Sequence, residues 1–111
     1  MDGGTAAAWL EVGTLDGIPR QGARVVATTR GDVALFRTLD DRVFALDDRC
    51  PHKGGPLSQG IVHGHNVTCP LHNRVFGLES GEAQAPDKGC VHRIPVRVRD
   101  GRVMMSAEAL R

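Results

Sequence analysis

No run in the chain approaches the ~18 consecutive apolar residues that a membrane-spanning helix needs, although 41% of its residues are hydrophobic. An excess of either charge is also missing: 14 lysines and arginines stand against 13 aspartates and glutamates, a formal net charge of +1. That balance argues against a nucleic-acid binder, which carries a basic face or stripe. The first ten residues contain no Lys or Arg and only a short alanine run, so neither a secretory nor a twin-arginine signal is expected. The cytoplasm is the expected location, where thiols stay reduced and metal ligation is the expected use of cysteine. There is no internal repeat, low-complexity tract or linker, and 111 residues leave no room for a second core. A single domain spanning 1–111 follows.

Helical periodicity is scarce as well; what is present is a series of short β runs with turn residues between them. Residues 23–28 (ARVVAT) and 33–37 (VALFR) read as strands joined across Arg30-Gly31-Asp32, and 43–46 (VFAL) follows a turn at Asp40-Asp41. Strand-sized runs with this punctuation predict a sandwich or small barrel. Near the C-terminus Ile94, Val96 and Val98 alternate with Arg93, Pro95, Arg97 and Arg99. Asp100-Gly101 then supplies the positive φ angles of a type I′ turn into residues 103–106, which predicts a hairpin. Pro95 cannot donate to a ladder, so an edge or a bulge is its expected place. The clustered Arg93, Arg97, Arg99 and Arg102 read as a solvated strand face. Trp9, Phe36, Phe44 and Phe76 read as core.

The chemistry lies in the middle. Cys50-Pro51-His52 is a C-x-H pair and Cys69-Pro70-Leu71-His72 a C-x-x-H pair, with 16 residues between His52 and Cys69. Each pair offers one soft thiolate and one borderline imidazole from a tight loop, and a proline after each cysteine stiffens it. Gly54, Gly55 and Pro56 let the first loop fold closely. Short strands are expected at Ile61-Val62, at 66–68 beyond His63-Gly64-His65, and at 74–76 before Ser80-Gly81. Two thiolates and two imidazoles suit zinc or an iron–sulfur centre, not calcium or magnesium, which prefer oxygen. A structural zinc site is the alternative, although zinc fingers ordinarily pair C-x₂₋₄-C with H-x₃₋₅-H. His63 and His65 read as solvent-facing turn residues. Cys90, which copies the C-x-H spacing with His92, reads as a half-buried structural cysteine.

With these residues the chain, from about Trp9 to Val103, resembles the Rieske [2Fe–2S] family, in which two His replace two Cys on one iron. The segments CPHKGGPLSQGIVHGHNVTCPLHN, FGLESGEA and PDKGCVHRIPVRVRDGRV are most similar to the small subunits of assimilatory NAD(P)H-dependent nitrite reductase. The resemblance implies an all-β fold of three stacked antiparallel sheets, with two loops in a small cluster-binding subdomain covering about 48–78. It implies one [2Fe–2S] cluster per chain, held by Cys50, His52, Cys69 and His72, each loop giving its Cys to one iron and its His to the other. Respiratory members carry an extra cysteine in each loop and form a disulfide; Gly55 and Leu71 occupy those places here, so a ferredoxin-like midpoint, not one well above about +200 mV, is expected. Arg74 and Gly77 depart from the usual aromatic and acidic residues, which alters the surface beside the second loop.

The implied function is electron transfer. The expected role is the small subunit of a nitrite reductase that converts nitrite to ammonia in nitrate assimilation, beside a large subunit carrying FAD, a [4Fe–4S] cluster and sirohaem. A stand-alone ferredoxin serving an oxygenase is the second reading, and a structural metal-bound interaction module the third. No nucleophile or acid–base constellation indicates a substrate site within the chain. No membrane partner is expected.

Overall fold

The computed structural model describes residues 8–51, 54–71 and 73–110. Among them ten strands run in chain order: β1 Trp9–Thr14, β2 Gly22–Thr28, β3 Gly31–Arg37, β4 Val43–Asp47, β5 Ile61–His63, β6 Asn66–Thr68, β7 Val75–Gly77, β8 Arg93–Ile94, β9 Val96–Arg99 and β10 Arg102–Ser106. They form three antiparallel sheets, β1-β10-β9, β2-β3-β4-β8 and β5-β6-β7. The only helical pieces among the described residues are single 3₁₀ turns.

Strand β3 explains the layering. Successive side chains on a strand point to opposite faces, and residues 33–37 are all buried. Val33 and Leu35 join Ala45, Ile94, Val103 and Met105 in one apolar cluster. Ala34 and Phe36 join Leu46, Val62, Val67 and Phe76 in another. The four-stranded sheet is therefore the middle layer, with β1-β10-β9 over one face and β5-β6-β7 over the other. An uninterrupted apolar run is what a strand covered on both faces requires.

The Asp100-Gly101 turn has φ values of 53° and 74°, the paired positive angles of type I′, and it sets Arg99 opposite Arg102. Pro95 lies between two edge strands, in keeping with the expected edge position: β8 before it is the last strand of the middle sheet, paired with β4, and β9 after it is the last strand of an outer sheet, paired with β10. A residue without an N–H thus falls where the chain leaves one ladder for another. The first hairpin also turns one residue earlier than expected. Thr28 lies opposite Gly31, and the Thr28 hydroxyl closes the turn by donating to the Gly31 carbonyl and accepting from the Arg30 N–H. Phe36 and Phe76 are fully buried, whereas Phe44 and Trp9 are only partly so. Trp9 lies beneath the Arg97 guanidinium, 4.4 Å from the ring centre. Arg93, Arg97, Arg99 and Arg102 are all exposed, as a solvated strand face requires.

Candidate metal centre

Two loops of six residues flank the β5-β6-β7 sheet and are closed by the same pair of backbone hydrogen bonds. The Cys50 N–H donates to the Gly55 carbonyl at 2.7 Å, and the Gly54 N–H donates back to the Cys50 carbonyl at 2.8 Å. In the second loop the Cys69 N–H donates to the Arg74 carbonyl at 2.7 Å, and the Asn73 N–H to the Cys69 carbonyl at 3.1 Å. The fifth residue of each loop is left-handed, Gly54 at φ 73° and Asn73 at φ 56°, as glycine and asparagine permit. Two unrelated stretches of sequence therefore adopt one turn, with a cysteine at the head of each.

The loops meet. A Cβ placed on Gly55 would stand 2.6 Å from Leu71 Cδ1, so the leucine of the second loop lies directly on the bare glycine of the first. Behind them, a Cβ on Gly60 would come 2.2 Å from the Thr68 carbonyl oxygen. Only glycine allows the chain leaving the first loop to pass this close to the strand entering the second. Asp48 secures the same segment, accepting from the Ser58 N–H at 2.7 Å and the Ser58 hydroxyl at 2.8 Å.

Cys50 and Cys69 are 1% and 0% exposed and belong to one apolar cluster. Both predicted sulfur donors thus lie in the same buried layer. His52 and His72, with Lys53, lie outside the described residues; among the described residues no group of three or more His, Cys, Asp or Glu gathers elsewhere as a metal site. Cys90 is exposed, not half-buried, because it sits in an isolated bridge opposite Glu82 rather than within a sheet. Its neighbour Gly89 lies against Pro51 of the first loop, with a built Cβ 3.9 Å from Pro51 Cγ. This third flank was not legible in sequence: the Cys90–His92 spacing was noted, but nothing local says that Gly89 comes against Pro51.

The turn histidines are engaged. His63 Nε2 lies 2.7 Å from the Thr68 hydroxyl, and His65 Nε2 lies 3.1 Å from both carboxyl oxygens of Asp40. The His65 ring also packs 5.6 Å from Phe44. The β5–β6 turn is thereby tied to the β3–β4 turn. There Asp40 and Asp41 are held below the ordinary carboxyl value, Asp40 by hydrogen bonds from Thr38 and then His65, Asp41 by hydrogen bonds from Arg20 and then Arg37.

Three stacked sheets carrying twin cysteine-headed loops, with both thiols shielded from water, define a class of small all-β domain. The chain belongs to the Rieske-like [2Fe–2S] domain family, whose sequence model matches residues 8–106. Two buried thiols on opposed loops suit a cluster of that kind, and the cofactor is a Rieske [2Fe–2S] centre, not zinc. The chain is 38% identical over 99 residues to the 3-phenylpropionate/cinnamic acid dioxygenase ferredoxin subunit of Photorhabdus laumondii, covering 87% of this chain and 92% of that one. It is 32% identical over 104 residues to the anthranilate 1,2-dioxygenase ferredoxin subunit of Burkholderia cepacia, covering 93% and 95%. Among solved structures it is similar to a putative NADH-dependent nitrite reductase small subunit from Mycobacterium tuberculosis, with a TM-score of 0.80, 28% identity, and coverage of 90% and 95%.

Proposed function

We propose that the chain is a one-domain Rieske ferredoxin that carries single electrons to an oxygenase, with Cys50, His52, Cys69 and His72 as its ligands. The observation that carries this reading is end-to-end similarity to dioxygenase ferredoxin subunits, at up to 38% identity over 92% of the relative's length. The bound cluster supplies a one-electron couple. The chain's own residues do the rest: Cys50 and Cys69 present thiolates from an apolar floor that excludes water, and the twin hydrogen-bonded turns fix where those thiolates start. No substrate is bound by this chain, and its place of work is the cytoplasm.

The small-subunit role in nitrite reductase is the second reading, supported by 28% identity to the putative nitrite reductase small subunit over 90% of this chain and 95% of that one. The deciding experiment mixes the reduced protein with a Rieske dioxygenase terminal component and, separately, tests it for co-purification with a sirohaem large subunit. Reoxidation coupled to hydroxylation of an aromatic substrate is expected. Stable co-purification with the sirohaem protein and no reoxidation by the dioxygenase would replace the first reading by the second. For the ligands, Cys50→Ala and His72→Ala are each expected to abolish the Rieske EPR signal, whereas Cys90→Ser keeps it. A full signal in either alanine variant removes that residue from the set.

A further inference from the structure

The two cysteine loops share one turn but differ in what holds their stems. Immediately outside the second loop Thr68 stands opposite Val75 in the β6-β7 ladder, so paired strands fix both ends of that loop. Outside the first loop no ladder runs. Strand β4 ends at Asp47, and the chain leaves the loop in the 3₁₀ turn Leu57–Gln59. Among the described residues, the hydrogen bonds joining residues 47–49 to residues 56–59 are the two that the Asp48 carboxylate accepts, from the Ser58 N–H at 2.7 Å and the Ser58 hydroxyl at 2.8 Å. The 3₁₀ turn needs that acceptor: its N-cap is Pro56, which makes no side-chain cap, and the first N–H groups of a helical turn have no partner inside it. Asp48 and Ser58 are both half-buried, and hydrogen bonds to an ionised acceptor are the stronger kind. Asp48 is itself anchored, its N–H donating to the Asp32 carbonyl of β3 at 3.0 Å. Leu57, beside Ser58, is fully buried in the apolar cluster that contains Cys50. One side chain thus does for the Cys50 loop what a strand pair does for the Cys69 loop.

Resting on the assignment of Cys50 as a cluster ligand, we propose that Asp48 is a positioning residue of the metal centre. By holding Ser58 it clasps the two stems of the first loop, and so sets where the Cys50 thiolate stands and how firmly the cluster is kept. Asp48 acts through the loop and is not itself a ligand. Groups that orient a ligand from behind change metal affinity by about 10–100-fold when they are removed. A site is only as well placed as the shell that supports it, and in this molecule the loop without a ladder depends most on one side chain.

The test uses the cluster-loaded protein and needs no redox partner. Iron loss is followed as bleaching of the visible bands by excess ferrous chelator under reducing conditions. The reduced-state EPR spectrum and hydrogen exchange read by mass spectrometry are recorded beside it. Asp48→Ala is expected to speed bleaching on the order of tenfold and to broaden the EPR lines as the first loop samples several poses. Exchange should rise around Cys50 and Ser58 but not around Cys69 and Val75. Asp48→Asn should restore the parent's behaviour, because its amide oxygen accepts from the Ser58 N–H and its amide nitrogen donates to the Ser58 hydroxyl oxygen. Asp47→Asn, one residue away and paired with Arg30, should also behave like the parent. Ser58→Ala, which keeps the N–H bond and loses the other, should fall between parent and Asp48→Ala, and it decides the matter if Asp48→Ala takes up no cluster. A lower urea midpoint in Asp48→Ala with bleaching and EPR unchanged would make the clasp merely structural and overturn the proposal, as would an asparagine variant no better than the alanine one. A parent chain that takes up no cluster overturns the site reading and the proposal with it. A loaded parent that neither a dioxygenase nor a sirohaem protein reoxidises, yet whose variants rank as stated, overturns the carrier reading and upholds the role of Asp48.

Discussion

At Gly55 and Leu71 the two loops touch through a glycine and the side chain opposite it. The Cβ built on Gly55 lies 3.8 Å from the Leu71 Cβ, the mean separation across a disulfide. Gly55→Cys combined with Leu71→Cys should therefore bridge the loops on oxidation without moving the backbone. Constraint of an unfolded loop of about 15 residues should stabilise the oxidised variant by about 3 kcal/mol over its dithiothreitol-treated form. Urea midpoints of the two forms measure this, and thiols that stay fully titratable under oxidising conditions would refute the geometry. Gly60 and Gly64 give the opposite contrast. Gly60→Ala drives a Cβ into the Thr68 backbone, whereas at Gly64 nothing lies within 4 Å and the cost comes from φ 56° alone. The first change should lower stability by about 3 kcal/mol or more and the second by about 1 kcal/mol. Similar midpoints for the two variants would mean that the approach of Gly60 to Thr68 is not rigid.

Elements were legible in sequence where a local rule decides them, and illegible where a distant contact does. The Asp-Gly turn at 100–101 and the strand at 33–37 follow from local rules and both are present, but the burial of 33–37 on both faces depends on the layers that cover it. The change of sheet at Pro95 does not follow from alternation, because alternation cannot say which ladder a strand joins. Likewise the exposure of Cys90 depends on a bridge to Glu82, and the engagement of His65 on Asp40, 25 residues away. The spacing singled out Cys50 and Cys69 as candidate ligands, but it did not reveal the shared hydrogen-bond pattern of their loops. The β3–β4 turn makes its own prediction. Asp40 and Asp41 have folded-state values below 3.8, so their contribution to stability is complete above the unfolded value and is lost as pH falls through the folded one. Stability should drop below about pH 4, and Asp41→Asn, which takes away the partner of both Arg20 and Arg37, should flatten that acid limb. Urea midpoints from about pH 5 to about pH 2 are the check, and an acid limb as steep in the variant as in the parent would place the loss elsewhere.

For the molecule as a whole, the two apolar clusters should respond differently to loss of the metal. One cluster contains Cys50 and Cys69 together with Leu57, Val62, Val67 and Phe76; the other, built on Ile18, Val33, Leu35, Val103 and Met105, contains no cysteine. The β5-β6-β7 sheet has three residues in each strand, too few to stand without the layer beneath and the loops beside it. Ligation and local folding are coupled wherever a site holds its surroundings together. Removing the iron with a chelator under reducing conditions should therefore raise amide exchange across β5, β6, β7 and both loops. Exchange in β1, β10 and the facing side of β3 should stay near the loaded protein's level. Strand β3 reports on both halves at once, because Ala34 and Phe36 pack on the cysteine-bearing cluster while Val33 and Leu35 pack on the other. Should protection vanish from all three sheets together, the layers would form one cooperative unit, and the metal would hold the entire fold rather than its outermost sheet.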